Sequence, residues 1–262
     1  LHESHALVTT IVQYVPNPAH TGGFDPLVLD GIDLVTESVR IDHMDVDYTL
    51  APSGDGHSLT VATPDHAFAL ETVVRIEPQN NTTMEGLYRS GSMFCTQMEA
   101  EGFRRVTWFQ DRPDVLAIWT VTIEADAETY PVMLSNGNLV ESRDLGRDAV
   151  GRPRKLTRWH DPFAKPSYLF ALVAGDLDVT DDTFTTLGGR EVTLRVFVDK
   201  GNVDQSHHAM ASLKKAMLWD EQVYGREYDL DIFHIVAVND FNMGAMENKS
   251  LNLFNAAAVL AK

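Results

Sequence analysis

The length, composition and charge of the chain bound what kind of protein it can be. Its 262 residues can bury one large core or two modest ones, and 44% hydrophobic with 23% charged residues is ordinary for a globular protein. The formal net charge of −17 argues against nucleic acid or an anionic membrane surface as the main partner.

The first two-thirds of the sequence has the pattern of many short β-strands. Val, Ile, Thr and Leu are frequent there and partly alternate with polar residues, and Pro- and Gly-rich turns separate the segments. The clearest segments are residues 6–15, 27–41, 58–63 and 68–76. Because no helical period of useful length interrupts them, we expect an antiparallel sandwich or a saddle-shaped sheet assembly.

The next stretch contains hairpin signals. Asn136-Gly137 predicts a tight hairpin between strands at 131–135 and 138–141, because this dipeptide suits a type I′ turn. The charged stretch 143–154 predicts a long hairpin tip before a strand at 155–160. The apolar run 168–174 suits a strand that is buried on both faces.

The pattern changes near residue 176, where we place a domain boundary between residues 1–176 and 177–262. A strand is predicted at 190–198, followed by one helix over about 203–224 that ends at Gly225. Apolar residues recur at helical spacing along it, namely Met210, Leu213, Met217 and Tyr224. A buried strand at 231–238 follows, so the second part predicts the opening of an α+β domain.

The run Gly-Ala-Met-Glu-Asn at 244–248 directly follows that strand. Its glycine and alanine let another backbone approach closely, so the segment Met243–Asn248 could pair with a peptide as an added edge strand. The Glu247 carboxylate suits an α-ammonium group in a partly desolvated pocket. From the residues alone, the simpler interpretation is a solvated carboxylate at Glu247 and core packing by Met243 and Met246.

The run 244–248 resembles the exopeptidase motif of the zinc aminopeptidases of the aminopeptidase N family. It also stands in the order seen in that family, after one buried strand and before the segment 251–255. A second match is 95–103, which resembles the family segment in which a Gln-x-Glu loop enters the active site. Three further segments resemble the bacterial alanyl aminopeptidase branch, so that the resemblance covers nearly the whole chain: residues 111–114, 159–174 and 199–202.

The resemblance implies a role for each matching residue. Glu99 and Glu247 would hold the ammonium group of a peptide, and Met243 would contact its first side chain, while Glu101 is expected to be structural. The implied substrate-binding residues are Gln97, Glu99, Met243, Gly244, Ala245, Met246, Glu247 and Asn248. The expected partners are peptides with a free amino terminus and the remainder of a longer chain, with no nucleic acid and no membrane. A cytoplasmic location is expected from the resemblance and from the single cysteine.

The family holds Zn²⁺ with a His-Glu-x-x-His helix, and this sequence contains no such motif. The resemblance therefore implies the amino-terminal part of a zinc aminopeptidase, ending before the zinc-binding helix. We expect a β-rich amino-terminal domain and then the start of a thermolysin-like catalytic domain. No catalytic residue and no metal ligand is expected within the chain, which should be inert alone although Zn²⁺ serves the complete enzyme.

The histidines and the cysteine are expected to be structural. His2-Glu3-Ser4-His5 is one residue short of a metalloprotease motif, and residues three apart on a strand face opposite sides, so we expect no metal there. His207-His208 should be solvated, His234 should be a hydrogen-bonded histidine of the core or a sheet face, and Cys95 should be a buried thiol.

Two other classes of protein remain open. A non-catalytic binding or scaffold protein could be built on the same β-rich architecture, and the test is whether the gene continues into His-Glu-x-x-His. A free-standing carbohydrate-binding β-sandwich fits the strand pattern but gives no reason for the run 244–248.

Overall fold

The computed structural model describes residues 1–2, 4–19 and 22–261, and strands dominate the fold, as the sequence predicts. The first strands are β1 (Ala6–Tyr14), β2 (Leu27–Gly31), β3 (Val35–Ile41), β4 (Met44–Asp45), β5 (Tyr48–Ser53), β6 (Gly56–Val61) and β7 (Phe68–Ile76). They are followed by β8 (Gly86–Ser90), β9 (Met93–Gln97), β10 (Leu116–Asp126), β11 (Val132–Ser135), β12 (Asn138–Arg147), β13 (Pro153–Pro166) and β14 (Leu172–Gly175). The remaining elements are β15 (Leu177–Thr185), β16 (Glu191–Asp199), α1 (His207–Tyr224), β17 (Ile232–Val238), β18 (Ala245–Met246), β19 (Leu251–Asn255) and α2 (Ala256–Val259).

Strands β1 to β14 form four antiparallel sheets, which confirms the predicted β-rich architecture. The strand orders are β1-β7-β3-β4, β2-β6-β5, β11-β14-β9-β8 and β10-β13-β12. Strand β7 illustrates why alternating hydrophobicity predicts a strand: every second side chain along it is buried, and those between are half-buried. Strands β12 and β13 pair as the hairpin predicted for the charged stretch, with its tip at residues 148–152.

The strands from Leu177 to Asn255 form a five-stranded mixed sheet, in the order β15-β16-β17-β19-β18. Strands β16, β17 and β19 run parallel, and α1 makes the crossover between β16 and β17. Helix α1 packs Met210, Leu213 and Met217 against the sheet and ends at Gly225 in the left-handed conformation, as predicted. It begins at His207 rather than at 203, and Tyr224, expected in the same apolar stripe, is exposed. None of the helices in the described ranges is both long and apolar enough to cross a membrane.

The mixed sheet is buried on both faces. Alternate residues of a strand face opposite sides. Val196 and Ile235 therefore join the cluster under α1, whereas Phe197 and Val236 join the large core shared with the β-rich part. This arrangement brings the run 244–248, at one edge of the mixed sheet, to the junction with the first fourteen strands.

The predicted tight hairpin at Asn136-Gly137 is wrong. Strand β11 pairs with β14, and β12 pairs with β13, so the connection leads from one sheet to another. Gly137 has φ 88°, and a Cβ atom there would lie 2.1 Å from the carbonyl oxygen of His160. Glycine is needed at this turn because the chain changes direction sharply beside another strand. The same Asn-Gly dipeptide also occurs in tight hairpins, so the sequence alone does not distinguish the two.

Two other predicted strands are interrupted. Residues 27–41 form β2 and β3, which belong to different sheets, and the link between them contains Asp33 with φ 55°. The apolar run 168–174 begins with a 3₁₀ helix at Ser167–Leu169 and contributes only β14 as a strand. Residues 168–174 are buried or half-buried, but Val28 and Val35 in the first stretch are exposed, so apolar content determined neither burial throughout nor backbone conformation.

Candidate functional site

The run 244–248 forms the outer edge of the mixed sheet. Strand β18 pairs antiparallel with β19, and the Asn255 backbone N–H donates to the Gly244 carbonyl oxygen over 2.9 Å. No strand among the described residues pairs with the other side of β18. That side therefore presents free main-chain groups to which an extended peptide could pair.

The side chains of the run divide between core and solvent. Met246 is fully buried and Asn248 is 2% exposed, which makes them anchors of the edge. Glu247, between them, is exposed, and its carboxylate makes no hydrogen bond or ion pair with the described part of the chain. Met243 is 41% exposed at the start of the run, so both of these side chains are accessible to a ligand.

The segment Gln97 to Glu99 lies at the end of β9 and has a similar composition. Gln97 is 1% exposed, and its Nε2 donates weakly to the Glu99 carbonyl oxygen at 3.4 Å. Glu99 is exposed and makes no side-chain hydrogen bond or ion pair within the described ranges. The neighbouring Glu101 pairs with Arg104 at 3.1 Å, a contact that fits the structural role expected of it.

The two segments are connected through the β8–β9 hairpin. Tyr88 Oη donates to the Asp240 carbonyl oxygen over 2.7 Å, and Ser90 Oγ donates to Asp240 Oδ2 over 2.9 Å. Asp240 lies in the connection between β17 and the run, so the hairpin that carries Gln97 also holds the backbone that leads into the second segment. No hydrogen bond or ion pair in the described residues joins the two segments directly, and the roles of their side chains stay predictions.

His234 is buried, as predicted, but the expected hydrogen bonds are absent. Neither ring nitrogen has a hydrogen-bond partner within the described ranges, and the ring lies edge-on between Trp159 and Phe197, with centroids 5.7 and 5.3 Å away. Burial, with a smaller contribution from the positive charge of Arg195, lowers the pKa of His234 to about 3. The prediction failed because the ring's neighbours are aromatic rather than polar.

The other candidate groups behave as structural residues. Cys95 is fully buried, which confirms the buried thiol, and burial raises the pKa of that thiol to about 12. His207 and His208 are exposed in the first turn of α1, as predicted. The pattern at residues 2–5 includes Glu3, which lies outside the described residues; the rings of His2 and His5 stack at 4.6 Å.

The structure also shows a buried ion pair that the sequence analysis missed. Lys165 Nζ lies 3.0 Å from Asp161 Oδ2, and both side chains are almost fully buried. Burial lowers the pKa of Lys165 to about 8, although the carboxylate of Asp161 opposes this shift. Phe163, between them in sequence, carries the ammonium group of Lys249 over its ring at 4.6 Å. The only sequence signal was the presence of Asp and Lys four residues apart near the end of a strand.

The chain matches two family models. Residues 24–169 match the peptidase M1 N-terminal domain, and residues 208–262 match the peptidase family M1 domain. The first match includes residues 97–99, and the second includes the run 244–248.

Curated relatives and a solved structure agree with the family models. The chain is 54% identical to Aminopeptidase N of Caulobacter vibrioides over 92% of its length and 51% identical to Aminopeptidase N of Escherichia coli over 97%. It covers 27% and 28% of those proteins, so it spans less than a third of the relatives' length. A crystal structure of Legionella pneumophila aminopeptidase A in complex with aspartic acid matches 97% of the chain and 29% of that protein, with a TM-score of 0.89 at 33% identity. The chain belongs to the peptidase M1 family.

Proposed function

We propose that this chain supplies the peptide-anchoring part of a zinc aminopeptidase that releases single residues from peptide amino termini. The observation that carries the proposal is Glu247, an exposed carboxylate without a partner in the described chain, at a free sheet edge. The remainder of a longer protein would supply the metal and the catalytic groups. The names of the curated relatives support this activity.

Recognition of a free amino terminus would combine two interactions. The free side of β18 would pair with the main chain of the peptide, which is independent of its sequence. Glu247 and Glu99 would accept charge-assisted hydrogen bonds from the α-ammonium group, so that a blocked amino terminus would be rejected. Met243 would contact the first side chain, where a flexible thioether tolerates different sizes. The neighbouring structure with bound aspartic acid supports a ligand with the α-amino group of an amino acid.

The domain organisation and the location belong to the same proposal. A β-rich domain over 1–176 and the start of a catalytic domain over 177–262 are supported by the positions of the two family matches. The start of the mixed sheet at Leu177 supports the same boundary. A cytoplasmic location is supported by the single, buried cysteine.

The described residues do not fit a zinc ion. They contain no group of three or more His, Cys, Asp or Glu side chains that could hold a metal. The place of zinc in the proposal therefore rests on family membership and not on residues of this chain. Residues 1–262 alone should be inert toward aminoacyl amides, and steady hydrolysis by a purified, metal-free preparation would refute this expectation.

The test of the proposed function is Glu247→Gln in the longer protein, with kcat/KM measured on an unblocked peptide amide. If the carboxylate holds the ammonium group in a desolvated pocket, kcat/KM should fall by roughly 100-fold to 1,000-fold. Glu37→Gln is the control, because Glu37 is also exposed and has no side-chain partner among the described residues, but lies on β3, far along the chain. Equal kcat/KM for the wild type and Glu247→Gln would remove Glu247 from this role.

A further inference from the structure

The side chain of Asn136 joins three separate segments of the chain. Asn136 is 1% exposed in the connection between β11 and β12. Its Nδ2 donates to the carbonyl oxygens of Leu169 at 3.0 Å and Lys249 at 2.8 Å, and its Oδ1 accepts from the Ala171 N–H at 2.8 Å. One amide therefore ties the β-rich part to Lys249, two residues after Glu247.

The next residue strengthens this link. The backbone N–H of Gly137 donates to Ser250 Oγ over 2.7 Å. Ser250 has φ 62°, and its carbonyl oxygen accepts from the His234 N–H over 2.8 Å. Consecutive residues on one side, 136 and 137, thus hold consecutive residues on the other, 249 and 250.

The side chain of Lys249 is fixed as well. Its Nζ lies 2.5 Å from Asp229 Oδ1 and 4.6 Å from the ring centroid of Phe163. Asn248 is buried, and its carbonyl oxygen accepts from Asn252 Nδ2 over 3.0 Å. The backbone after Glu247 is therefore held on every residue up to 250, whereas the Glu247 carboxylate itself has no partner in the described chain.

We infer that Asn136 is a positioning residue that sets where the Glu247 carboxylate stands relative to a bound peptide. This inference rests on the proposed function. Asn136 does not touch the peptide and acts through the backbone of Lys249. A preorganised anchor needs such support, because a displacement of about 1 Å at a binding group can lower the reaction rate by about 100-fold.

The test is a double-mutant cycle in the longer protein, with kcat/KM for an unblocked aminoacyl amide as the readout. Asn136→Asp keeps the acceptor for Ala171 but removes both donated hydrogen bonds. It should lower kcat/KM roughly 10-fold to 100-fold in the wild-type background. In the Glu247→Gln background the same change should cost less than about threefold, because the anchor through which Asn136 acts is already lost. Each rate is divided by the concentration of folded protein, so that a loss of stability does not count as a loss of activity.

Ser135→Ala is the matched control. It removes a buried hydrogen bond of 2.8 Å to the Ala171 carbonyl oxygen in the same region but leaves the contact with Lys249 intact. It should lower the thermal midpoint without changing kcat/KM by more than about twofold. A merely structural role for Asn136 would make Asn136→Asp behave like Ser135→Ala.

The outcomes separate the two proposals. If Glu247→Gln lowers kcat/KM but Asn136→Asp costs the same factor in both backgrounds, the positioning role is overturned and the proposed function stands. If Glu247→Gln leaves kcat/KM unchanged, both the proposed role of Glu247 and the positioning role of Asn136 are overturned. Should Asn136→Asp fail to fold, Asn136→Ala replaces it, since this change also removes both donated hydrogen bonds but places no charge in the buried site. It must then show the same loss of effect in the Glu247→Gln background, and an additive result there overturns the inference.

Discussion

Residues 97–99 and residues 247–248 each place a buried amide side chain next to an exposed carboxylate. Gln97 and Asn248 are buried, and Gln97 Oε1 and Asn248 Oδ1 lack a hydrogen-bond partner in the described chain. Glu99 and Glu247 are exposed, and their carboxylates likewise have no partner in the part of the chain that the structure describes. Buried acceptors without partners are uncommon in folded proteins, so their occurrence beside both carboxylates sets these segments apart from ordinary loops.

The two segments differ in what holds them. The first is fixed locally, by the β8–β9 pairing and by the Gly102 N–H, which donates to the Met98 carbonyl oxygen over 2.7 Å. The second is held by nearby groups such as Asn252 and, in addition, by residues more than 100 positions away in sequence, through Asn136 and Gly137. The first segment should therefore respond to changes within its own hairpin, and the second to changes in a distant connection between two sheets.

The largest expected effect is that of Gly137→Ala, which disturbs the connection that holds Ser250 from more than 100 positions away in sequence. The new Cβ would lie 2.1 Å from the His160 carbonyl oxygen, at a residue with φ 88°. Backbone strain and the clash together should lower the free energy of unfolding by about 3 to 5 kcal/mol, measured by urea denaturation. Gly146→Ala is the control, with φ 82° and open space around the Cβ, and should cost only about 1 to 2 kcal/mol. Equal losses would show that the close approach to His160 is unimportant.

Gly102→Ala disturbs the turn whose backbone N–H holds the Met98 carbonyl oxygen in the first segment, and it should have a smaller effect. Its backbone conformation, at φ −77°, suits alanine, but the Cβ would lie 2.6 Å from the Gln97 carbonyl oxygen and 2.8 Å from the Gly86 nitrogen. The backbone must shift, at a cost of about 1 to 3 kcal/mol in the free energy of unfolding. In the longer protein the shift should also lower kcat/KM, because it displaces residues 97–99. Full activity with reduced stability would separate this segment from the proposed site.

The smallest expected effect concerns pH and His234, whose backbone N–H supports Ser250. Burial lowers the pKa of His234 in the folded state to about 3, below the 6.5 of an unfolded histidine. Between these values only the unfolded state binds the proton, so this histidine makes the protein less stable as the pH falls below 6.5. At pH 5.5 the contribution is about 1 kcal/mol, and it vanishes near pH 8.

His234→Phe should remove that contribution and the two unpartnered nitrogens. We expect the variant to gain stability relative to the wild type on going from pH 8 to pH 5.5, measured by urea denaturation at both values. The measurement at pH 8 is the internal control for packing changes. An unchanged difference between the two proteins across this pH range would contradict the buried, neutral histidine.

The sequence predicted the elements well where the signal is local. Strand β7 and helix α1 were predicted because alternation and a 3.6-residue period are properties of one segment, and the Gly225 cap is a local requirement. The small residues of the run 244–248 predicted an edge strand, and the run lies at the edge of the mixed sheet, while its role in binding a peptide stays a prediction.

The sequence could not predict which distant groups meet. Asn136-Gly137 was interpreted as a hairpin because the dipeptide signals a turn with positive φ, which the local sequence is enough to predict. The pairing of β11 with β14 and of β12 with β13 depends instead on contacts between segments far apart in the chain. The same limit applies to His234, whose neighbours Trp159 and Phe197 come from different strands. The supports of the second segment therefore became visible only in three dimensions.

The most direct test compares residues 1–262 with the longer protein, measuring bound zinc and hydrolysis of an alanyl chromogenic amide in both. The account predicts zinc and activity in the longer protein and neither in residues 1–262, because the chain supplies peptide anchoring without metal ligands among its described residues. Zinc and activity in neither protein would contradict it and would favour a binding or scaffold protein with the same fold. Activity in residues 1–262 alone would contradict it as well.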